Sequence, residues 1–289
     1  LEARRLSPVN EVQSFLLEHH AIRGAVVRLK ETWQQIVAQH RYPEPIQVLL
    51  ADSVAATVLL AKGLKDHPKV SLQLQGEGPL RLLVIQCSAD FKVRGMAQWR
   101  PFAPGDPLLG EGRLSVHLDT GARSGLFQGI VPLVSEHLDA CLEAYFAQSE
   151  QLPTRIVLAG GAANAAGLLV QAVPGHESDP DTFAHIATLA KTVSSRDLIT
   201  TPASELLPRL FGGYEIRLFR PKAVLHDCRC TPEHLAGIAR MLGAAELHSL
   251  LDDQGKVELT CEFCNRAFRY DADDVAAILR GEAPGVTVH

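Results

Sequence analysis

Two close cysteine pairs carry the most specific chemistry in this 289-residue chain. Cys228-Arg229-Cys230 is a C-x-C and Cys261-Glu262-Phe263-Cys264 is a C-x-x-C, with thirty residues between them. Two such pairs can bring four sulfurs to the corners of one tetrahedron. Zinc prefers that geometry, and structural zinc sites are closed by four protein ligands. Cys228, Cys230, Cys261 and Cys264 therefore read as the ligands of one zinc ion. Asn265 follows the second pair and tolerates the left-handed backbone that a metal-binding turn needs there. Cys87 falls in an apolar strand pattern and Cys141 on a helix stripe, and both read as inert core cysteines.

The metal has more to do than brace a loop if the segment around it is small. Metal binding supplies on the order of 10 kcal/mol of folding free energy to such a unit. Zinc also keeps its sulfurs as thiolates, the form that peroxide or hypochlorous acid attacks. Oxidation of the ligands would then become an unfolding event. An inert structural zinc stays open on spacing alone.

The elements around the pairs are legible. Thr231 reads as an N-cap with Pro232 at the first helical position. Leu235, Ile238, Ala239 and Leu242 form a helical stripe that Gly243 stops. A second short helix is expected over 244–251 and a turn over 252–255. Strands at 256–260 and 267–270 pair as a hairpin with the C-x-x-C at its tip. Asp271 caps a last helix over 272–280, ended by Gly281.

Upstream, apolar spacings of three and four predict helix over 9–40. A buried helix is expected over 46–64. From Val70 the period becomes two, and strands are expected at 70–75, 80–87, 91–99, 112–118 and 125–133. A helix over 135–150 has Ser135 as its N-cap. Strands follow at 156–158 and 167–173. After a composition shift at 174–180, short helices are expected at 182–193, 195–199 and 203–211, then a strand at 214–219. The fold class is α+β. Residues 1–174 make an N-terminal sheet-and-helix domain, with an antiparallel or mixed sheet. Residues 175–225 make a helical linker, and 226–289 a small C-terminal zinc-binding domain with a hairpin and short helices.

Composition narrows the function. Residues 226–289 carry six Lys/Arg against eleven Asp/Glu, while the rest carries 22 of each. Nucleic-acid binders show the opposite, a basic patch, so no nucleic-acid partner is expected. No apolar run is expected to reach the roughly 18–20 residues of a membrane span, and the first ten residues are polar and basic, unlike a secretory signal. Cytoplasmic location follows as the expectation, with cysteines used for metal or redox chemistry. Gly76-Glu77-Gly78 joins two strands and reads as a turn, and no phosphate-binding G-x-x-x-x-G-K-[ST] occurs. His19, His20, His226 and His234 read as exposed or packing residues, since four cysteines already fill a zinc; His226 stands beside the first pair, placed to tune it.

The cysteine order resembles that of the redox-regulated heat-shock protein 33 chaperones. Further stretches carry the likeness: Ala21-Ile22-Arg23-Gly24, the run from Leu72 to Pro79 (LQLQGEGP), Arg94-Gly95, and the run from Tyr145 to Thr154 (YFAQSEQLPT). It covers nearly the whole chain. The loop at 160–166 departs, being shorter and less acidic. The resemblance implies a non-enzymatic, ATP-independent holdase that is inactive when reduced and zinc-bound. It implies that oxidation joins Cys228 to Cys230 and Cys261 to Cys264 and releases zinc. The linker then unfolds, and the protein dimerises and holds unfolding client proteins. Two other readings compete: a zinc-ribbon binding module with constant metal, and a thiol oxidoreductase.

Overall fold

The computed structural model describes residues 10–63, 69–119, 126–176, 179–282 and 287–288. The chain divides into two compact units, Leu1–Asp227 and Cys228–His289. The α+β class expected from the sequence is what the structure shows.

In the first unit the elements run β1 (Asn10–Leu17), β2 (Ile22–Leu29), α1 (Glu31–Val37), α2 (Glu44–Gly63), β3 (Lys69–Gly76), β4 (Leu80–Ser88), β5 (Lys92–Trp99), β6 (Gly112–Asp119), β7 (Leu126–Pro132), α3 (Leu138–Tyr145), β8 (Thr154–Gly160) and β9 (Ala165–Ala172). Then come α4 (Pro180–Lys191), α5 (Ser195–Thr200), α6 (Ala203–Leu210), β10 (Ile216–Leu218), β11 (Lys222–Ala223) and β12 (Leu225–His226).

The helix expected over 9–40 is wrong for most of its length. β1 and β2 form an antiparallel hairpin, Leu17 opposite Ile22, and only Glu31–Val37 is helical. The turn between them uses His19 (φ 66) and Ala21 (φ 50), left-handed conformations that no helix accommodates. The period of two is hidden because β2 is a central strand buried on both faces, which gives a nearly continuous apolar run. Gly24 lies within it; a Cβ there would sit 2.3 Å from the Phe15 ring and 2.5 Å from the Leu169 carbonyl oxygen.

Two sheets result instead of one. The first has the order β10-β1-β2-β9-β8, with β11 also paired to β1; the second runs β12-β5-β4-β3-β6-β7. Pairing is antiparallel except for β12 on β5. Helix α2 packs on strands of both sheets, and its buried side chains, Leu50, Val54 and Val58 among them, join both inner faces in one core. By length and composition it is long and apolar enough to cross a bilayer, although Asp52 interrupts its apolar run. Two-thirds of that stretch is buried inside the unit.

The outer face of the first sheet carries Phe15, Leu17, Ile22, Val26, Leu168 and Val170. Helices α4–α6 cover it with Ile186, Leu198, Leu206, Leu207 and Phe211. Asp179 caps α4 and Ser194 caps α5 through side-chain oxygens. The start of α3 corrects another expectation: His137, not Ser135, is the N-cap, and the Ser135 hydroxyl accepts from the His137 N–H at 3.1 Å.

The second unit contains α7 (Pro232–Leu242), α8 (Ala244–Gln254), β13 (Val257–Thr260), β14 (Ala267–Tyr270), α9 (Ala272–Arg280) and β15 (Thr287–Val288). Helix α8 continues through residues expected to turn, and Gly255 at φ 69 ends it. Asp271 and Asp274 close a reciprocal capping box at the start of α9.

Candidate metal centre

The C-x-C pair lies just before α7, whose start is fixed by the Thr231 hydroxyl accepting the His234 N–H at 3.2 Å. The C-x-x-C pair lies in the turn joining β13 and β14. That turn is held by Cys261 N–H donating to the Arg266 carbonyl (2.9 Å) and Asn265 N–H donating to the Cys261 carbonyl (2.8 Å). Asn265 takes the left-handed conformation its type allows, at φ 54.

These two segments bring the four predicted cysteines together. All four Sγ atoms lie within 4.8 Å of one another. Cys228 and Cys261 are 3.7 Å apart, and Cys230 and Cys264 are 3.2 Å apart. Four sulfurs on one tetrahedral zinc stand about 3.8 Å from each other. Cys230 and Cys261 are buried and Cys228 and Cys264 half-buried. Soft sulfur donors, a closed four-ligand set and partial burial fit a metal ion.

Electrostatics distinguish the sulfurs. Burial opposes ionisation of Cys228, but the Cys230 N–H and the neighbouring thiols outweigh it and hold its pKa below the ordinary thiol value. Burial pushes Cys230 and Cys264 up. A bound dication would favour the thiolate at every position.

The core beneath the site is small: Leu235, Ala239, Leu247, Phe268, Tyr270 and Ile278 form most of it. Two polar contacts missed in the sequence close it. The Tyr270 hydroxyl donates to the Pro232 carbonyl at 2.9 Å, and Arg240 Nε donates to the Ile278 carbonyl at 2.7 Å. Their partners are 38 residues away in each case, and no local pattern marks them.

The other cysteines and histidines stay out of the site. Cys87 and Cys141 are fully buried in the first unit. Burial pushes the Cys87 thiol up to about 12, while Cys141 donates to the Ser135 carbonyl at 3.2 Å. His19 is exposed. His226 is half-buried on β12, where burial lowers its pKa.

Comparison with known proteins agrees with this architecture. A family model described as Hsp33 protein matches residues 10–271. The 33 kDa chaperonin of Shewanella denitrificans is 39% identical over 275 residues, covering 93% of this chain and 94% of the relative. That of Cronobacter sakazakii is 36% identical over 283 residues, covering 95% and 97%. The crystal structure of the 33 kDa chaperonin (heat shock protein 33 homolog) from Thermotoga maritima has the same fold. Its TM-score is 0.81 at 23% identity, over 94% of this chain and 98% of that one.

Proposed function

The chain belongs to the Hsp33 family of chaperones, and from that premise we propose that it is an ATP-independent holdase switched on by oxidation. The observation that carries this reading is the convergence of four cysteine sulfurs within 4.8 Å in a unit with so small a core. Zinc bound by Cys228, Cys230, Cys261 and Cys264 would keep the sulfurs as thiolates and supply the folding free energy the core lacks.

In each pair, following the family resemblance, two thiolates, one peroxide and two protons give one disulfide and two waters. Cys228 bonds to Cys230 and Cys261 to Cys264. A sulfur in a disulfide is no longer a thiolate ligand, so oxidation removes the reason for the second unit to stay folded. Unfolding then spreads to the preceding segment, residues 175–225. Departure of α4–α6 bares Phe15, Leu17, Ile22, Val26, Leu168 and Val170 on the first sheet. A contiguous apolar face is what unfolding clients would bind. The active form is a homodimer, and the reduced form resides in the cytoplasm, where thiols stay reduced.

The test follows zinc and function together. Reduced, zinc-loaded protein is treated with peroxide at mildly raised temperature in the presence of a chelating dye. About one zinc per chain should be released, with a matching gain in suppression of client aggregation. Oxidised protein that kept its metal, or lost it without suppressing aggregation, would overturn the reading.

A further inference from the structure

Asp52 is the one ionisable residue between Glu44 and Lys62 in the otherwise apolar α2, and it borders a cavity of about 350 Å³ in the first unit. A volume of that size falls in the range of small-ligand pockets. The walls are apolar: Val48, Leu49, Leu108, Leu138 and Leu158. Its polar groups are Asp52, Glu136, His137 and Asp139.

The carboxylates have different duties. Glu136 is fully engaged, one oxygen accepting the Leu109 N–H and the other the Gly110 N–H, each at 3.1 Å. Asp139 accepts the Ala140 N–H at 2.9 Å. Asp52 Oδ1 accepts the Gly160 N–H at 2.6 Å, an approach that a Cβ at residue 160 would block, 2.5 Å from that oxygen. An asparagine oxygen would make the same bond without a charge, so the bond does not account for the carboxylate. Among the described residues no hydrogen bond engages Oδ2, and no Lys or Arg pairs with any of the three acids. Asp52 is half-buried and its Oδ2 reaches the solvent of the cleft, with His137 the one basic side chain close enough to act on it.

The acids that line the cavity do not converge as a metal-ligand set. Among the described residues the only group of three or more metal-type ligands that converge is the cysteine cluster. Separated carboxylates over apolar walls fit a cation with methylenes attached. We propose that this cavity binds an alkylammonium ion, a primary ammonium on a short apolar chain, with Asp52 as its counter-ion and Asp139 as a second negative group. Burial pushes the Asp52 carboxyl up to about 7. A cation beside it would restore the ionised form. Neither the metal centre nor the oxidation switch enters this inference.

The test uses reduced, zinc-loaded, full-length protein in calorimetric titrations at pH 8. The probes are 1,5-diaminopentane and Nα-acetyl-lysine methylamide, with pentanoate as the anionic control. Saturable one-to-one binding of at least one amine is expected, weakened tenfold or more in Asp52→Asn. Asp139→Asn should weaken it less, and Leu108→Trp, which fills the cavity, should abolish it; thermal melts establish that each variant is folded. Diamine binding alone identifies a free amine as the ligand. Equal or tighter binding of the lysine probe identifies a lysine side chain of a bound polypeptide. Absence of saturable binding by both amines, unchanged binding in folded Asp52→Asn, or equal binding of pentanoate would overturn the proposal.

Discussion

Tyr270 on β14 donates its hydroxyl to the carbonyl of Pro232, 2.9 Å away in the first turn of α7. The strand after one cysteine pair is thereby tied to the helix after the other. The tyrosine is fully buried, so its hydroxyl has no water to turn to. Tyr270→Phe should cost about 1 kcal/mol and loosen the register of the two pairs. In full-length protein challenged with a chelating dye, zinc should leave roughly fivefold faster, as about 1 kcal/mol implies. An unchanged rate would show that the bond does not brace the site.

Ligand removal separates the four converging sulfurs from the two buried ones. The double change Cys261→Ser and Cys264→Ser leaves two sulfurs, too few to close a tetrahedral site. Bound zinc, measured by elemental analysis, should fall from about one per chain to near zero. Cys87→Ser and Cys141→Ser should leave it unchanged, because both side chains lie in the core of the first unit. Retained zinc in the double variant would refute the ligand assignment.

The four-sulfur cluster was legible because C-x-C and C-x-x-C are local patterns with one chemical use at that spacing. The hairpin and caps of the second unit were legible for the same reason, since Thr231, Asp271 and Gly281 act on their immediate neighbours. The β1–β2 hairpin was not. Its residues are buried on both faces, Ala25 and Val27 toward α2 and Ile22 and Val26 toward α4–α6. That double burial erases the alternation that marks a strand. The Asp52 cavity was equally hidden, because its walls come from residues near 48, 108, 138 and 158. Only the isolated acid in an apolar helix signalled it.

Phe211 tests what α4–α6 conceal. Its ring lies 5.9 Å from that of Phe15, and both are buried between α6 and the first sheet. Phe211→Ala should cost about 3–5 kcal/mol of packing at the seam that oxidation is proposed to open. Reduced, zinc-loaded Phe211→Ala should therefore suppress client aggregation without oxidant. Light scattering of a heat-unfolded client measures this. A variant as silent as the parent would show that release of α6 does not limit activation.

Asp52 gives stability a pH dependence of predictable sign. Its carboxyl is raised by burial to about 7 in the folded protein and returns to about 3.9 when unfolded. Between those values the folded state holds the proton more firmly, so stability falls as pH rises through that window. The penalty is complete above the folded value and reaches about 4 kcal/mol at most. Asp52→Asn keeps an acceptor for the Gly160 N–H and removes the charge. It should be more stable than the parent at pH 8 and nearly equal to it only below about pH 3.5, where Asp52 is protonated in the folded and unfolded states alike. Urea denaturation of both proteins across this range measures the difference. A difference that stayed constant with pH would show that Asp52 does not titrate in the window.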